Sequence, residues 1–329
     1  MIPRLAAGRT CLKKIPLKEQ AIAWGFLSPA LLILLVFGIW PIIYALYISL
    51  HRWRIKQEAF IGVGHYVRAL DDPTLYNGFK ITAFYALGTI PAELVLSTGL
   101  ACLLFNILRG KGFFRVIFFL PYITPIIASA VVFRTLFSPH PSSMANRFWS
   151  FWGLDNQRWL FENKSAVAVL LKGIGMSTYP AWVDACFPSL ALVSVILYNI
   201  WVYVGYDTVI LLAALSAIPS HYYEAAEMDG ANPWQSFRHI TLPLISPTLF
   251  FLSTVALIGT FKAFNHIYIL RTPGARDTID VLSVVIFDQI FQNHNAGYAA
   301  ALAIILFIAI LVLTLVQNRI VGRRVFYGD

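Results

Sequence analysis

Six stretches of the chain are apolar for long enough to cross a bilayer, and short polar segments separate them. A hydrocarbon core of about 30 Å takes about 20 helical residues. Residues 21–50 carry no charge, residues 81–108 are interrupted only by Glu93, and residues 116–133 run unbroken to Arg134. The fourth stretch lies within 185–218 and holds Asp207, the fifth is 244–270 with Lys262, and the sixth, 295–318, is again free of charge. The pattern predicts an all-α integral membrane protein with six transmembrane helices and both termini on one side. It divides the chain into a tail (1–20), a first span with its following loop (21–80), a core (81–318) with a polar loop at 219–243, and a second tail (319–329).

The longest connection, 138–184, has Trp149, Trp152, Trp159, Trp182 and a short apolar run at 166–171. That run is too short to span. Aromatic rings at this density suit a membrane–water boundary, so part of this segment is expected to be a helix lying in the interface.

Composition agrees with a membrane solvent. Charged residues make up 12% of the chain, about half the roughly 25% of a soluble protein, and the mean hydropathy is +0.70. The net charge of +9 is therefore not a nucleic-acid footprint, because basic residues of membrane proteins collect in loops that resist translocation. Basic residues are denser on the side of the termini, notably at Lys13, Lys14, Arg319, Arg323 and Arg324. That enrichment places the termini and the 219–243 loop in the cytoplasm. The N-terminal apolar run is too long for a cleavable signal. Cys11, Cys102 and Cys186 match no metal or redox spacing, and the last two are expected to be packing residues.

The 219–243 loop carries the most specific pattern in the chain. Glu224-Ala225-Ala226 is followed after three residues by Gly230, and after nine more by Ile240-Thr241-Leu242-Pro243. Other stretches accompany it: Phe114-Arg115, Leu120-Pro121-Tyr122-Ile123 and Pro125 at the third span; Asn199-Ile200-Trp201 and Gly205-Tyr206 in the fourth; Phe261, Phe264, Ile267 and Tyr268 in the fifth; Gly297-Tyr298-Ala299 opening the sixth. Together they resemble the permeases of binding-protein-dependent ABC importers, in the first-subunit branch of carbohydrate (maltose-type) systems. The resemblance implies a type I ABC importer permease fold in a bacterial inner membrane. It also implies a second homologous permease, an ATP-binding subunit dimer that carries ATP and Mg, and an extracytoplasmic solute-binding protein. The chain departs from the family at 271–277, where a Gly-Gly-Pro-type turn is usual, and in a longer loop before the fourth span.

By the same resemblance, Glu224, Ala225, Ala226, Asp229, Gly230, Trp234, Phe237, Leu242 and Pro243 form the ATPase-coupling surface. Local chemistry fits a two-helix knob. Ser220 is placed to cap a first short helix, with Glu224 near its positive end. Gly230 permits the turn, and Asn232-Pro233 restarts a helix. Trp234 and Phe237, three apart, share a face, and Leu242-Pro243 is expected to stop the helix. Read without the full spacing, the same residues describe an ordinary capped loop.

Ionisable groups inside spans are costly and serve a pathway or a partner. Asn199, Tyr203 and Asp207 follow at intervals of four and so share one helical face; Lys262, Asn265 and His266 cluster in the fifth span. Rings with amides and acids suit sugar recognition, so Asn199, Tyr203, Asp207, Lys262 and Asn265 are candidate substrate-pathway residues. Hydrogen bonding between neighbouring helices is the other reading, and Arg134 is expected to snorkel to the boundary.

No phosphate loop of the G-x-x-x-x-G-K-[ST] type and no H-E-x-x-H pair occurs in the sequence. ATP hydrolysis is thus expected in another chain, with no cofactor or metal in this one and no nucleic acid among its partners; membrane lipid is its surroundings. Two other functions compete at this level: an ion-coupled secondary transporter, or a membrane enzyme, using Glu93 and Asp207. Sugar, polyol and glycerol phosphate cargoes share these motifs.

Overall fold

The computed structural model describes residues 17–326 apart from 55, 107–109, 174, 175, 177, 178 and 181. Most of the N-terminal tail with Cys11, Lys13 and Lys14, the end of the second expected span, parts of the long connection and the last three residues lie outside the described residues.

The first span is helix α1 (Leu17–Ile33), a wider π turn (Leu34–Ile39) and α2 (Trp40–Ser49). Its apolar side chains through α1 and the π turn, such as Phe26 and Phe37, are exposed, whereas Ala45 and Ile48 near the end of α2 are half-buried. A small antiparallel hairpin follows, β1 (His51–Trp53) with β2 (Gln57–Phe60), and then α3 (Gly64–Leu70). The second span, α4 (Pro73–Asn106), begins eight residues before the apolar run at 81. Hydropathy marked only its membrane portion.

The third span is bent. Helices α5 (Lys111–Ile123) and α6 (Ile126–Leu136) meet at 93°, in keeping with the expectation that Pro121 and Pro125 kink or interrupt their span. Pro125 is the cause: it pushes the preceding Thr124 out of the helical region to φ −65°, ψ 135°, and is itself extended.

The long connection folds into α7 (Met144–Phe151), α8 (Ala166–Gly173) and α9 (Trp182–Cys186). The run at 166–171 thus becomes α8. Its base is pinned to the start of the next span: Ala166 N–H donates to the Pro188 carbonyl at 3.0 Å and Leu190 N–H to the Lys164 carbonyl at 3.0 Å. Cys186 is exposed, contrary to the packing role expected, because it ends a helix of five residues at the surface; Cys102 is half-buried against a core cluster.

The fourth span, α10 (Leu190–Ser216), is the axis of the fold. Ser189 caps it by accepting from Leu192 N–H at 3.1 Å. Tyr198, Val195, Leu211 and Leu215 are buried along it, and its packing on α4, joined by α6 toward one end and α5 toward the other, supplies two core clusters. The polar loop consists of α11 (His221–Met228), α12 (Pro233–Ser236), a π turn (Phe237–Thr241) and α13 (Leu242–Leu244).

The fifth span is α14 (Ser246–Phe261), bent by 63° from the loop helices. It stops short of the expected end at 270. The chain breaks at 262–264 and resumes as α15 (Asn265–Leu270). After α16 (Arg276–Ile279) comes α17 (Leu282–Phe291), an apolar helix too short to span, and then the sixth span, α18 (Ala296–Ile320). Counting each bent pair once, the described residues contain six spans.

Candidate functional site

Two places gather the polar groups that sequence singled out. The first is a cavity of about 320 Å³ within the bundle, formed where α5, α10, α14 and α15 converge. Asn199, Tyr203 and Asp207 all line it, as their spacing of four on α10 required. The break after α14 brings Lys262, Asn265 and His266 to the same space from the other side. Lys262 is thereby the C-cap of α14 and not, as expected, a residue within a continuous span.

These residues differ in what holds them. Lys262 and Asn265 are exposed, whereas His266 is buried and shares a hydrogen bond of 2.8 Å between its Nε2 and the Tyr85 hydroxyl. His266 is therefore part of the helix packing at the cavity wall. Beside it, the Tyr198 hydroxyl donates to the Ile126 carbonyl at 2.9 Å and lies 2.7 Å from Ser129 Oγ. Arg134 is exposed and reaches the Ile269 carbonyl at 3.5 Å, a contact between α6 and α15.

Glu93 and Asp207 are 3% and 4% exposed, and their carboxyl groups meet across α4 and α10. Asp207 Oδ2 has no hydrogen-bond partner among the described residues. A buried polar atom left free costs more than one that is bonded, unless something else occupies its lone pairs. The cavity wall also includes Tyr122 and Tyr206, whose rings stack with centroids 4.4 Å apart, with Tyr203 edge-on to Tyr122 at 5.8 Å. Neither Tyr122 nor Tyr206 was singled out from sequence as a pathway residue. Both stood within the Leu120–Ile123 and Gly205-Tyr206 motifs, but nothing in one dimension says that α5 and α10 cross there.

The second place is the polar loop. Helix α11 ends at Asp229 with Gly230 at φ +78°. Gly230 N–H bonds the Glu227 carbonyl at 3.0 Å and Ala231 N–H the Ala226 carbonyl at 2.9 Å, the pair of bonds of a Schellman terminus. Glu224, Ala225, Asp229 and Gly230 are exposed and Ala226 half-buried. Asn232 then closes a capping box with Gln235: Gln235 N–H donates to Asn232 Oδ1 at 2.9 Å, and Asn232 N–H to Gln235 Oε1 at 2.8 Å. Pro233 occupies the first helical position.

Two expectations fail here. Ser220 makes no side-chain cap; it sits in helical conformation and its carbonyl takes the first bonds from Tyr223 and Glu224. Leu242-Pro243 does not stop the helix. Pro243 has no N–H for the carbonyl one turn back, and the π turn just before it opens the spiral enough to carry the ring. The break comes later, at Ile245. Trp234 is 66% exposed and its ring stacks on Phe237 at 5.5 Å. The Tyr223 hydroxyl and Thr241 Oγ1, 3.0 Å apart, tie α11 to the end of the π turn.

A third feature was missed from sequence. Arg271, just after α15, bonds both Asp280 (2.6 Å) and Asp288 (2.7 Å), clamping the 271–280 segment to α17. Burial pushes the Asp280 carboxyl up to about 6, only partly offset by the Arg271 guanidinium. The partners lie 9 and 17 positions away, too far for any periodic pattern.

Residues 93–327 match the family described as "Binding-protein-dependent transport system inner membrane component". Among curated proteins, the chain is 31% identical to the inner membrane ABC transporter permease protein YcjO of Escherichia coli (strain K12), over 96% of this chain and 97% of that one. It is 29% identical to the lactose transport system permease protein LacF of Rhizobium radiobacter, over 89% and 92%. Among solved structures, it superposes with a TM-score of 0.75 at 24% identity on a chain of a bacterial alginate ABC transporter in complex with an alginate pentasaccharide-bound periplasmic protein, covering 93% of this chain and 96% of that one.

Proposed function

Since the chain belongs to the binding-protein-dependent transport system inner membrane component family, we propose that it is the membrane path of an ATP-driven importer for a sugar or related polyol. The termini and the α11–α13 loop face the cytoplasm, and the opposite end receives cargo from a solute-binding protein. A second homologous permease completes the pathway. ATP is hydrolysed on a separate pair of subunits, and this chain does no chemistry.

The observation that carries this reading is the build of the loop. Two short helices, folded at Gly230 and closed by a capping box, leave Glu224 and Trp234 projecting outward. A rigid knob with an exposed aromatic anchor suits insertion into a groove on another protein. Movement of that knob, driven by closure of the ATPase pair, would rock α10 and α14, which flank the loop and also line the cavity.

Cargo class follows from the cavity. The stacked Tyr122 and Tyr206 offer ring faces to C–H groups, while Asn199, Asp207 and Asn265 offer bonds to hydroxyls. The transport names of the relatives, lactose and alginate, support the same class. The test is uptake into proteoliposomes holding the assembled transporter. Accumulation that needs both ATP and an added binding protein supports the reading. Accumulation driven by an ion gradient alone overturns it in favour of a secondary transporter using Glu93 and Asp207.

A further inference from the structure

Helix α7 is two-faced in a way that neither the cavity nor the loop explains. Successive helical residues are rotated by about 100°. Met144, Phe148, Phe151 and Trp152 therefore fall within an arc of about 100°, and they are 69%, 63%, 81% and 66% exposed. Asn146 lies opposite and is fully buried. It is the hub that fixes the helix: Nδ2 donates to the His140 and Gln157 carbonyls at 3.1 Å each, and Oδ1 accepts from Gln157 N–H at 2.9 Å and from Trp159 Nε1 at 2.7 Å. Ser143 caps the helix through Asn146 N–H.

This rigid mounting rules out a simple collapse of the apolar arc into the fold. Trp159 packs against Phe137 and Trp149, and the neighbouring Leu160 carbonyl accepts from Thr272 Oγ1 at 2.6 Å. The outward face is thus held outward by contacts on the inward one. Its four large side chains form a contiguous apolar patch of the kind that marks an interaction surface.

Placement selects the occupant. Only seven residues separate the end of α6 at Leu136 from Met144. Helix α6 is the second half of the third span, so α7 starts near the bilayer surface opposite the termini. Ile127, Val131 and Val132 of α6, the helix that leads to α7, are exposed apolar side chains as well. Arg147 is exposed at the margin of the arc, where a guanidinium can reach a phosphate while its stem stays in apolar surroundings.

We propose that α7 is a membrane-interface anchor: its Met144, Phe148, Phe151 and Trp152 face inserts among the lipids of the leaflet opposite the termini, with Arg147 at the headgroups. The Asn146 hub transmits that anchorage to the segment packed on the start of α10. The outer end of the bundle is then fixed in depth and tilt, while the loop end remains free to move.

The test is site-directed spin labelling of the full chain in nanodiscs of mixed neutral and anionic phospholipid. In a background with Cys11, Cys102 and Cys186 replaced by Ser, single cysteines are placed by Phe148→Cys, Phe151→Cys and Ser150→Cys. Collisions with oxygen, which concentrates in lipid, are compared with those of a water-soluble nickel chelate. The expected result is a positive depth parameter at 148 and 151 and a negative one at 150. Nickel-dominated collisions at all three positions place α7 in water and overturn the proposal. Low access to both reagents at 148 and 151 means that protein covers the face, and overturns it equally. Should the thiol-free protein fail to fold, quenching by brominated acyl chains gives a second readout in the natural background. Trp152→Phe is expected to remove more of the quenchable emission than Trp149→Phe, and an equal loss from both overturns the anchor.

Discussion

Gly205 on α10 meets the backbone carbonyl of Phe118 on α5 with no room for a side chain between them. A Cβ at this position would overlap the Phe118 carbonyl itself, and backbone cannot swing aside as the tip of a flexible chain can. This contact sets the depth to which α5 sinks onto α10. It also brings Tyr122, one turn further along α5, to stack on Tyr206.

Gly205→Ala is accordingly expected to destabilise the fold by about 1–3 kcal/mol, the usual cost of an added methyl in a close-packed site. Thermal unfolding in detergent would show it as a lowered midpoint. An unchanged midpoint would mean that α5 and α10 separate without cost.

Tyr203 contributes a ring to the cavity wall. Tyr203→Ala should raise the KM of uptake by roughly five-fold, about 1 kcal/mol for one aromatic contact, while leaving subunit assembly intact. Tyr203→Phe should retain most of the affinity if the ring face is what counts. Kinetics of binding-protein-dependent uptake for the two variants would separate ring from hydroxyl.

The Arg271 clamp gives a pH dependence of defined sign. Folded Asp280 titrates near 6, because burial disfavours its charged form, against a reference value of 3.8. The folded protein therefore holds this proton more tightly than the unfolded chain. The contribution of Asp280 to stability falls as pH rises from about 4 to about 6 and is constant above that. Asp280→Asn should flatten this segment of a midpoint-versus-pH curve. A wild-type slope that survives the substitution would assign the effect to another group.

Trp234 projects from the loop, with its ring stacked on Phe237. As an interface anchor it should contribute about 2 kcal/mol to binding of the ATPase subunit, so Trp234→Ala would weaken the dissociation constant by roughly 30-fold. Pull-down of the ATPase subunit at graded concentration measures this, and unchanged capture would remove Trp234 from the interface.

How much of this was written in the sequence depends on the range of the interaction. Gly230 and Asn232-Pro233 act on their own backbone within three residues, and the structure has the turn and the restarted helix where those residues place them. Asn199, Tyr203 and Asp207 lay on one face because helical period alone decides it. Direction was harder to see. Hydropathy weighs composition over a window, so the 93° turn at Pro125 and the end of α14 at Phe261 left no mark on it. A proline alone does not say which span turns: Pro91 lies within α4, which stays continuous. Contacts between distant segments were invisible altogether: the Arg271 clamp, the Asn146 hub and the stacking of Tyr122 on Tyr206 exist only once the chain is folded.

The coupling role of the loop stands or falls with one comparison, the ATPase rate of the reconstituted transporter when loaded binding protein is added, in wild type, Glu224→Lys and Gly230→Val. Gly230→Val forces a β-branched residue to φ +78°, a conformation strained by about 1–3 kcal/mol, and so distorts the knob. Glu224→Lys reverses an exposed charge on α11 while leaving the spans untouched. Both variants should remain in the membrane and lose most of the stimulated hydrolysis. Wild-type stimulation in both would contradict the assignment of this loop as the contact through which ATP drives transport.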